Sequence, residues 1–191
     1  MKTYKIDITR DENAWNPRED DNVTTMVCFH KRYSLGDTHN VSSDTYESWE
    51  EMEEAIRAEY PVVALKPLFM YEHSGITIAT SPFSCRFDSG RLGFVMITTH
   101  GLMKMCGHVD FTEVELDKML EDEVKQYDSY LRGDVYEYTI SEVQTCNLGC
   151  EHEEVIDSCG GYYDEDEARA EAESIVKVYE ERTAVAYHSE P

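Results

Sequence analysis

Residues 112–144 read TEVELDKMLEDEVKQYDSYLRGDVYEYTISEVQ, a helix pattern followed at once by a strand pattern. Thr112 with Glu115 three residues later is the sequence of a capping box at a helix start. Apolar residues then recur at helical spacing until Gly133 ends the helix; they are Leu116, Met119, Leu120, Val124, Tyr127 and Leu131. Between Val135 and Gln144 two sets of side chains alternate with period two, which predicts a strand; one set is Val135, Glu137 and Thr139, and the other is Tyr136, Tyr138 and Ile140.

The same patterns predict the remaining elements. Alternation or short apolar runs predict strands over residues 2–9, 23–31, 62–71, 76–80, 91–99 and 152–158. A helix is predicted after Ser43 or Asp44, with Glu47 as its capping partner and Pro61 as its stop. Another helix is predicted over Asp164 to Arg182. Residues 72–75 and Asn147-Leu148-Gly149 are predicted hairpin turns.

The order of these elements predicts the fold class. Strands occur in runs rather than in strict alternation with helices, which indicates an α+β domain with a mostly antiparallel sheet. We expect about three helices, two of them acidic and packed on one side of that sheet. A chain of 191 residues suits one domain over residues 1–191, with residues 111–181 as its acidic helix-hairpin-helix part.

Charge is distributed unevenly along the chain, whose formal net charge is −23. Residues 111–181 contain 22 Asp and Glu against 5 Lys and Arg, whereas residues 1–110 contain 17 against 11. Concentrated negative charge repels nucleic acid and anionic membranes and attracts basic proteins. We therefore expect no direct binding to nucleic acid or to membranes, and a basic protein as the partner.

The N-terminal residues and the cysteines bear on localisation. The longest apolar patch, Leu92 to Thr98, is strand-sized and too short to span a bilayer. The N-terminus has no apolar core of a signal peptide, so we expect a cytoplasmic protein. In that compartment the six cysteines are expected to be reduced.

The acidic segments supply the candidate partner-binding residues. Two arrangements stay open, a loose acidic docking surface and mimicry of DNA, and the second requires both helices and the hairpin to share a face. The candidates are Glu113, Glu115, Asp117, Glu121, Asp122, Glu123, Glu153, Glu154, Asp164, Glu165, Asp166 and Glu167.

One cysteine and histidine set could hold a metal. Cys146, Cys150, His152 and Cys159 offer the soft donors of a tetrahedral zinc site at a hairpin tip. Their C-x3-C-x-H-x6-C spacing differs from the common zinc signatures, which favour paired C-x2-C. The alternative is that Cys146 and Cys150 are cross-strand neighbours with His152 exposed. Apart from zinc, we expect no cofactor.

Other catalytic patterns are weak. Cys28 and His30 are two residues apart on a strand and point to one face, but a nucleophilic pair also needs contact. Cysteine is otherwise a small buried hydrophobe. Gly160-Gly161 could form a phosphate-binding turn, which the carboxylates of residues 164–167 oppose. That acidic run lacks the spacing of a calcium loop and suits a solvated helix start.

Nine short segments spread over most of the chain carry a resemblance to known proteins. They are Asn16–Glu19, Asp21-Asn22, Met26–Tyr33, Leu35–Asp37, Tyr71–Thr77, Pro82–Cys85, Asp88–Gly90, Tyr127–Tyr136 and Asp157–Gly161. Together these segments resemble a group of small proteins encoded by tailed phages and integrated mobile elements. That family has no established activity, so the resemblance implies no catalytic residues, only an origin in an element that acts inside a bacterial cell.

Charge and resemblance together favour a non-enzymatic, phage-encoded acidic protein that inhibits or redirects a host protein handling nucleic acid, such as a defence nuclease. The alternative from another class is a small metal-dependent enzyme or zinc-stapled module that uses Cys146, Cys150, His152 and Cys159. A structural or regulatory homo-oligomer is a third option.

Overall fold

The computed structural model of the chain describes residues 3–146 and 149–188, and side chains up to residue 182. Its contacts divide the chain into two compact units. The central unit is Asn16–Arg132, and the terminal unit comprises the described residues up to Trp15 and from Gly133 onward. The acidic stretch 111–181, predicted as one part of a single domain, is divided between these units at Gly133.

The central unit is built on a four-stranded antiparallel sheet. In chain order its strands are β2 (Thr24–Cys28), β3 (Val62–Glu72), β4 (Ile76–Ala79) and β5 (Ser89–Thr98). Across the sheet the order is β2-β5-β3-β4. The inner strand β5 is buried from Leu92 to Ile97, as its continuous apolar sequence predicts. A turn containing Ser74, with φ of 62°, joins β3 to β4 and confirms the predicted hairpin.

Helices cover both faces of this sheet. Consecutive strand residues point to opposite sides, so the continuous apolar run of β5 makes both faces apolar. On one face, Met52 and Ile56 of α1 (Trp49–Glu59) pack in a cluster with Phe94 of β5. On the other face, α2 (Thr99–Cys106) and α3 (Glu113–Arg132) pack in a cluster that includes Val95 and Ile97 of β5.

The start of α3 confirms the predicted capping box. The backbone N–H of Thr112 donates to Oε2 of Glu115 at 2.8 Å, and the Thr112 hydroxyl accepts from the Glu115 N–H at 3.3 Å. The Thr112 hydroxyl also donates to Oε2 of Glu115 at 2.8 Å. The backbone hydrogen bond to this carboxyl, and then the hydroxyl one, lower its pKa.

The predicted start of the first helix is wrong. Ser43–Thr45 forms only a short 3₁₀ turn, and α1 begins after Ser48, whose hydroxyl accepts the Glu51 N–H at 3.1 Å. Ser48 and Glu51 have the same Ser-x-x-Glu spacing, placed directly before the apolar face of the helix. The predicted end is right, since α1 finishes at Glu59, just before Pro61.

The helix α2 was not predicted, because it follows β5 without a break and buries only Leu102. Two local signals mark it. Thr98 caps it by accepting the Gly101 N–H at 3.1 Å, and Gly107 ends it with φ of 77°.

The terminal unit has a three-stranded antiparallel sheet and one long helix. Its elements are β1 (Thr3–Arg10), β6 (Tyr136–Thr145), β7 (Glu151–Tyr162) and α4 (Glu165–His188). The strand order across the sheet is β1-β6-β7. The helix α4 buries Ala168 and Ala172, and Ala172 packs with Tyr138 and Ile140 of β6. Small residues at spacing four let the helix approach the sheet closely.

The α+β class and the antiparallel pairing are confirmed, but two details of the predicted architecture are wrong. The described residues form two sheets instead of one, and the acidic helices α3 and α4 pack on different sheets. Asn147 and Leu148 of the predicted hairpin turn lie outside the described residues, although β6 and β7 pair as predicted.

Within the described ranges, no helix is both long and apolar enough to cross a bilayer.

Candidate functional site

The strand β7 of the terminal unit is rich in carboxylates. It carries Glu151, Glu153, Glu154 and Asp157 and no Lys or Arg. The first three are exposed and Asp157 is partly buried. Because the order β1-β6-β7 places β7 last, these carboxylates line one border of the sheet.

The start of α4 adds a second group of carboxylates. Oδ1 of Asp164 accepts the N–H of Asp166 at 2.8 Å and of Glu167 at 3.3 Å, which caps the helix. Glu165, Asp166 and Glu167 are exposed in the first turn, where the helix dipole favours negative charge. Arg169 lies 3.1 Å from Glu165 in an exposed ion pair.

Two tyrosines of the terminal unit are affected by carboxylates of β7 and α4. The rings of Tyr138 and Tyr162 have centroids 5.8 Å apart. Burial raises the pKa of Tyr138, and the charges of Asp157 on β7 and Glu171 on α4 raise it further. One carboxylate from each element, Asp157 on β7 and Glu171 on α4, therefore acts on the same phenol. We call β7 together with Asp164–Glu171 the acidic edge.

The acidic edge is only weakly neutralised within the described residues. Nζ of Lys5 lies 3.1 Å from Asp7 and 3.3 Å from Glu153, and the hydrogen bonds that it donates to these two carboxylates raise its pKa. All three side chains are nearly half exposed. In sequence, residues 1–15 and 133–191 contain 19 Asp and Glu against 6 Lys and Arg, a net charge of −13.

The chain matches no protein-family model, no curated protein and no solved structure. The function of the acidic edge is therefore inferred from its charge and geometry.

The predicted partner-binding residues of α3 lie in the central unit and are mostly paired with cations. Nζ of Lys66 lies 3.1 Å from Asp117 and 2.8 Å from Glu121, and Lys118 pairs with Asp122 one turn along α3. Glu113 and Glu115 are exposed in the first turn, where Glu115 also serves the capping box. Much of the charge of α3 is thus balanced locally.

Glu123 is not a surface residue available to a partner, which corrects its prediction as a binding residue. Its side chain is 18% exposed, and its Oε2 lies 2.9 Å from Nη1 of Arg18, whose own side chain is 3% exposed. Its two oxygens accept the backbone N–H of Val23 at 2.9 Å and of Thr24 at 3.2 Å. A partly buried carboxylate with a buried cation and two backbone donors stabilises the fold instead.

Glu123 belongs to a set of side chains that covers the outer edge of β2. Arg18 donates to the carbonyl of Thr24 at 2.9 Å, and Asp37 accepts the N–H of Met26 at 2.7 Å. Asp37 also donates its own N–H to the Met26 carbonyl at 2.9 Å. His39 Nε2 lies 3.0 Å from the carbonyl oxygen of Cys28.

Arg18 links the two carboxylates of this set. Its Nε donates to Oδ1 of Asp37 at 2.9 Å, and Nη2 contacts Oδ2 at 2.5 Å. Burial lowers the pKa of Arg18, but the hydrogen bonds and charges of Asp37 and Glu123 outweigh it and leave the pKa raised. Arg18 and Asp37 were not predicted, because charged residues in loops are usually solvated and no local pattern marks an edge cap.

The four predicted zinc ligands do not converge. Cys146 and Cys150 are cross-strand neighbours, since the Cys146 N–H donates to the Cys150 carbonyl at 2.8 Å. Cys159 pairs with Tyr138, seven residues along β7 from His152, or about 23 Å at ~3.3 Å per residue. Zinc ligands must lie within about 2.3 Å of one ion. No group of three or more His, Cys, Asp or Glu in the described chain could hold a metal ion.

Cys28 and His30, considered above as a weak candidate for a nucleophilic pair, lie in environments that do not favour that role. Cys28 is buried, and burial followed by the charge of Asp37 raises the pKa of its thiol to about 12, so it is a poor nucleophile. Nδ1 of His30 accepts the backbone N–H of Tyr33 at 3.1 Å.

Gly160 and Gly161 serve the fold of β7 rather than a phosphate. A Cβ at Gly160 would lie 2.5 Å from Oδ2 of Asp11, and Gly161 has φ of 86°, where side chains are strained. Both lie at an irregularity of the β6–β7 register.

Sequence reasoning also missed Glu151 and Asp157, which share β7 with the predicted Glu153 and Glu154. The signal was available, since four carboxylates and no cation occur in one strand.

Proposed function

We propose that this protein is a non-enzymatic acidic binding protein of phage or mobile-element origin, which docks on a basic surface of a host protein that handles nucleic acid. By occupying that surface in the host cytosol, it would inhibit or redirect the host protein. The observation that carries the proposal is the acidic edge, in which β7 and the start of α4 each carry exposed carboxylates with few cations beside them. Complementary charge of this kind speeds association and selects basic partners.

The charge density favours docking over close imitation of DNA. A duplex carries one charge per about 1.7 Å, or about 23 charges over 40 Å. The 12 residues of β7 extend about 40 Å at ~3.3 Å each and carry four carboxylates. Residues 164–182 add a net charge of −5. Together these nine charges amount to less than half the density of a duplex.

The central unit fits this role less well. Lys66 and Lys118 balance carboxylates of α3, and Arg18 is paired with Glu123. We therefore assign the binding role to the acidic edge and treat Glu113, Asp117, Glu121 and Asp122 as a matched set of exposed carboxylates outside it.

The test compares neutralisation of these two sets. One variant carries E151Q, E153Q, E154Q and E165Q on the acidic edge, and the control carries E113Q, D117N, E121Q and D122N on α3. Each is used to capture basic proteins from a bacterial lysate at low and high salt, with duplex DNA added as competitor. The proposal requires a DNA-binding partner that the first variant loses, that the control retains, and that salt and DNA displace.

Retention of the same partner by the first variant would contradict the assignment to the acidic edge. Failure of the wild-type protein to retain any basic partner would contradict the proposed function itself.

A further inference from the structure

The strand β7 has an open outer edge, in contrast to the strands at the borders of the central sheet. In that sheet, Arg18, Asp37 and Glu123 cover β2, and Asp128 of α3 accepts the N–H of Ile78 on β4 at 2.7 Å. Within the described chain, no side chain or loop hydrogen-bonds to the outward backbone groups of residues 151–155; farther along β7, the Cys159 thiol contacts the Gly160 carbonyl at 3.7 Å. Unpaired backbone groups in an edge strand are a template for another strand.

The register identifies which backbone groups point outward. The Cys146 N–H donates to the Cys150 carbonyl, so even-numbered residues of β6 point toward β7. The carbonyl of Val135 accepts the N–H of Asp11 at 2.8 Å, so odd-numbered residues point toward β1. Because hydrogen-bonded and non-bonded pairs alternate in antiparallel ladders, the partners of Thr145, Val143 and Ser141 point outward. These partners are Glu151, Glu153 and Val155.

This open segment is regular enough to pair. The register is unbroken from Glu151 to Val155, and the first irregularity follows at Ile156. Five residues extend about 16 Å and offer three outward N–H and three outward C=O groups. That length matches a short strand.

The side chains of the segment select the occupant. Consecutive residues alternate between faces, so Glu151 and Glu153 lie on one face of the sheet while Glu154 lies on the other. A flat basic surface would meet only one of these faces, whereas a strand added along the edge lies beside both. Two copies of β7 would place carboxylates opposite carboxylates, which is destabilising. Val155, 62% exposed, adds one apolar contact between the charged residues.

We propose that the open edge of β7 binds an extended, lysine- or arginine-rich segment of the partner as a fourth strand of the terminal sheet. This inference rests on the proposed function, because it specifies how the acidic edge recognises a basic protein. Backbone hydrogen bonds to Glu151, Glu153 and Val155 hold the segment, and the flanking carboxylates select its charge.

The experiment separates backbone pairing from charge. The full-length protein is titrated with a fluorescent octapeptide of alternating Lys and Val, and with the same peptide N-methylated at alternate residues, which keeps the charge but blocks one hydrogen-bonding edge. E153Q and E153P are compared, since both remove the carboxylate and only E153P removes an outward N–H. Proline is tolerated in an edge strand where its N–H would face solvent.

The expected result is that E153Q binds the unmodified peptide a few-fold more weakly than the wild type, and E153P about tenfold more weakly than E153Q. The methylated peptide binds the wild type about tenfold more weakly. In the complex, hydrogen exchange slows at the amides of Glu153 and Val155, while the inward amide of Glu154 is already protected in the free protein.

Equal binding of the two peptides to the wild type, or of the unmodified peptide to E153Q and E153P, would overturn strand addition while leaving the proposed function standing. The circular dichroism spectrum of E153P must match that of E153Q, which shows that the proline has not disturbed the fold. If the spectra differ, binding of the methylated peptide to the wild type tests strand addition without the proline variant. Absence of any salt-sensitive binding of either peptide would overturn this inference and count against the proposed function as well.

Discussion

Nη1 of Arg18 lies 2.9 Å from Oε2 of Glu123, although the two residues are 105 positions apart in the chain. The pair brings a loop cation and a helix carboxylate to the outer edge of β2, where both also bond to the backbone. Charges that look like surface residues in sequence thus complete the hydrogen bonding of an edge strand.

Loss of the Glu123 carboxylate is expected to destabilise the central unit. E123A leaves Arg18 short of one partner and two backbone N–H groups unpaired, so we expect a loss of about 3–5 kcal/mol. The control E121A removes a carboxylate on the same helix that is 58% exposed beside Lys66, and should cost about 1 kcal/mol or less.

Urea unfolding can measure this difference in a W15F background, which leaves Trp49 of the central unit as the remaining tryptophan of the two. Equal midpoints for E123A and E121A would contradict the structural role of Glu123.

Gly93 is expected to be essential for packing β5 against β2. A Cβ at this position would lie 1.9 Å from the carbonyl oxygen of Val27, and that neighbour is backbone and cannot rotate away. G93A should therefore cost about 3 kcal/mol or more. G90A in the same strand, where nothing lies within 4 Å, should stay within about 0.5 kcal/mol of the wild type. Trp49 fluorescence reports both, and a stable G93A would show that β2 approaches less closely.

The Cys28 thiol is expected to resist alkylation in the folded protein. Its pKa is raised to about 12 by burial and by the charge of Asp37, so little thiolate forms at mildly alkaline pH. Cys150 and Cys159 are exposed and should react with iodoacetamide first. Mass spectrometry of the labelled peptides gives the order, and labelling in denaturant is the control. Early modification of Cys28 would show that its thiol is reactive and would support Cys28 and His30 as a nucleophilic pair.

The stability of the terminal unit should fall at alkaline pH. Burial, a hydrogen bond with Cys159 and nearby negative groups raise the pKa of Tyr162 to about 12. A raised folded-state pKa contributes stability below the ordinary tyrosine value of about 10, and this is lost as pH rises toward 12. Y162F should show a smaller decline over that range. The stability of the terminal unit is measured as a function of pH by urea unfolding monitored by amide exchange in β6. Identical pH dependence in the wild type and Y162F would refute the role of Tyr162.

The acidic edge was only half predictable. Glu153, Glu154 and residues 164–167 stood out by composition, because exposed carboxylates on a strand and at a helix start follow from local sequence. Glu123 has the same chemistry and the same kind of neighbours in sequence, yet it is mostly covered and paired with the buried Arg18. Composition cannot distinguish the two cases, since burial depends on which distant segment lies against the residue.

The sequence by itself determined the α+β class, the seven strands, and the helices α1, α3 and α4, because periods of 2 and 3.6 and capping residues act over one or two turns of chain. Only the tertiary structure decided that the strands form two sheets, that α3 and α4 belong to different units, and that Arg18, Asp37 and Glu123 cover β2 while β7 stays open. The physical reason is that strand pairing is non-local: β1 pairs with β6 in the register Ile6↔Ile140, and no local pattern encodes that partner.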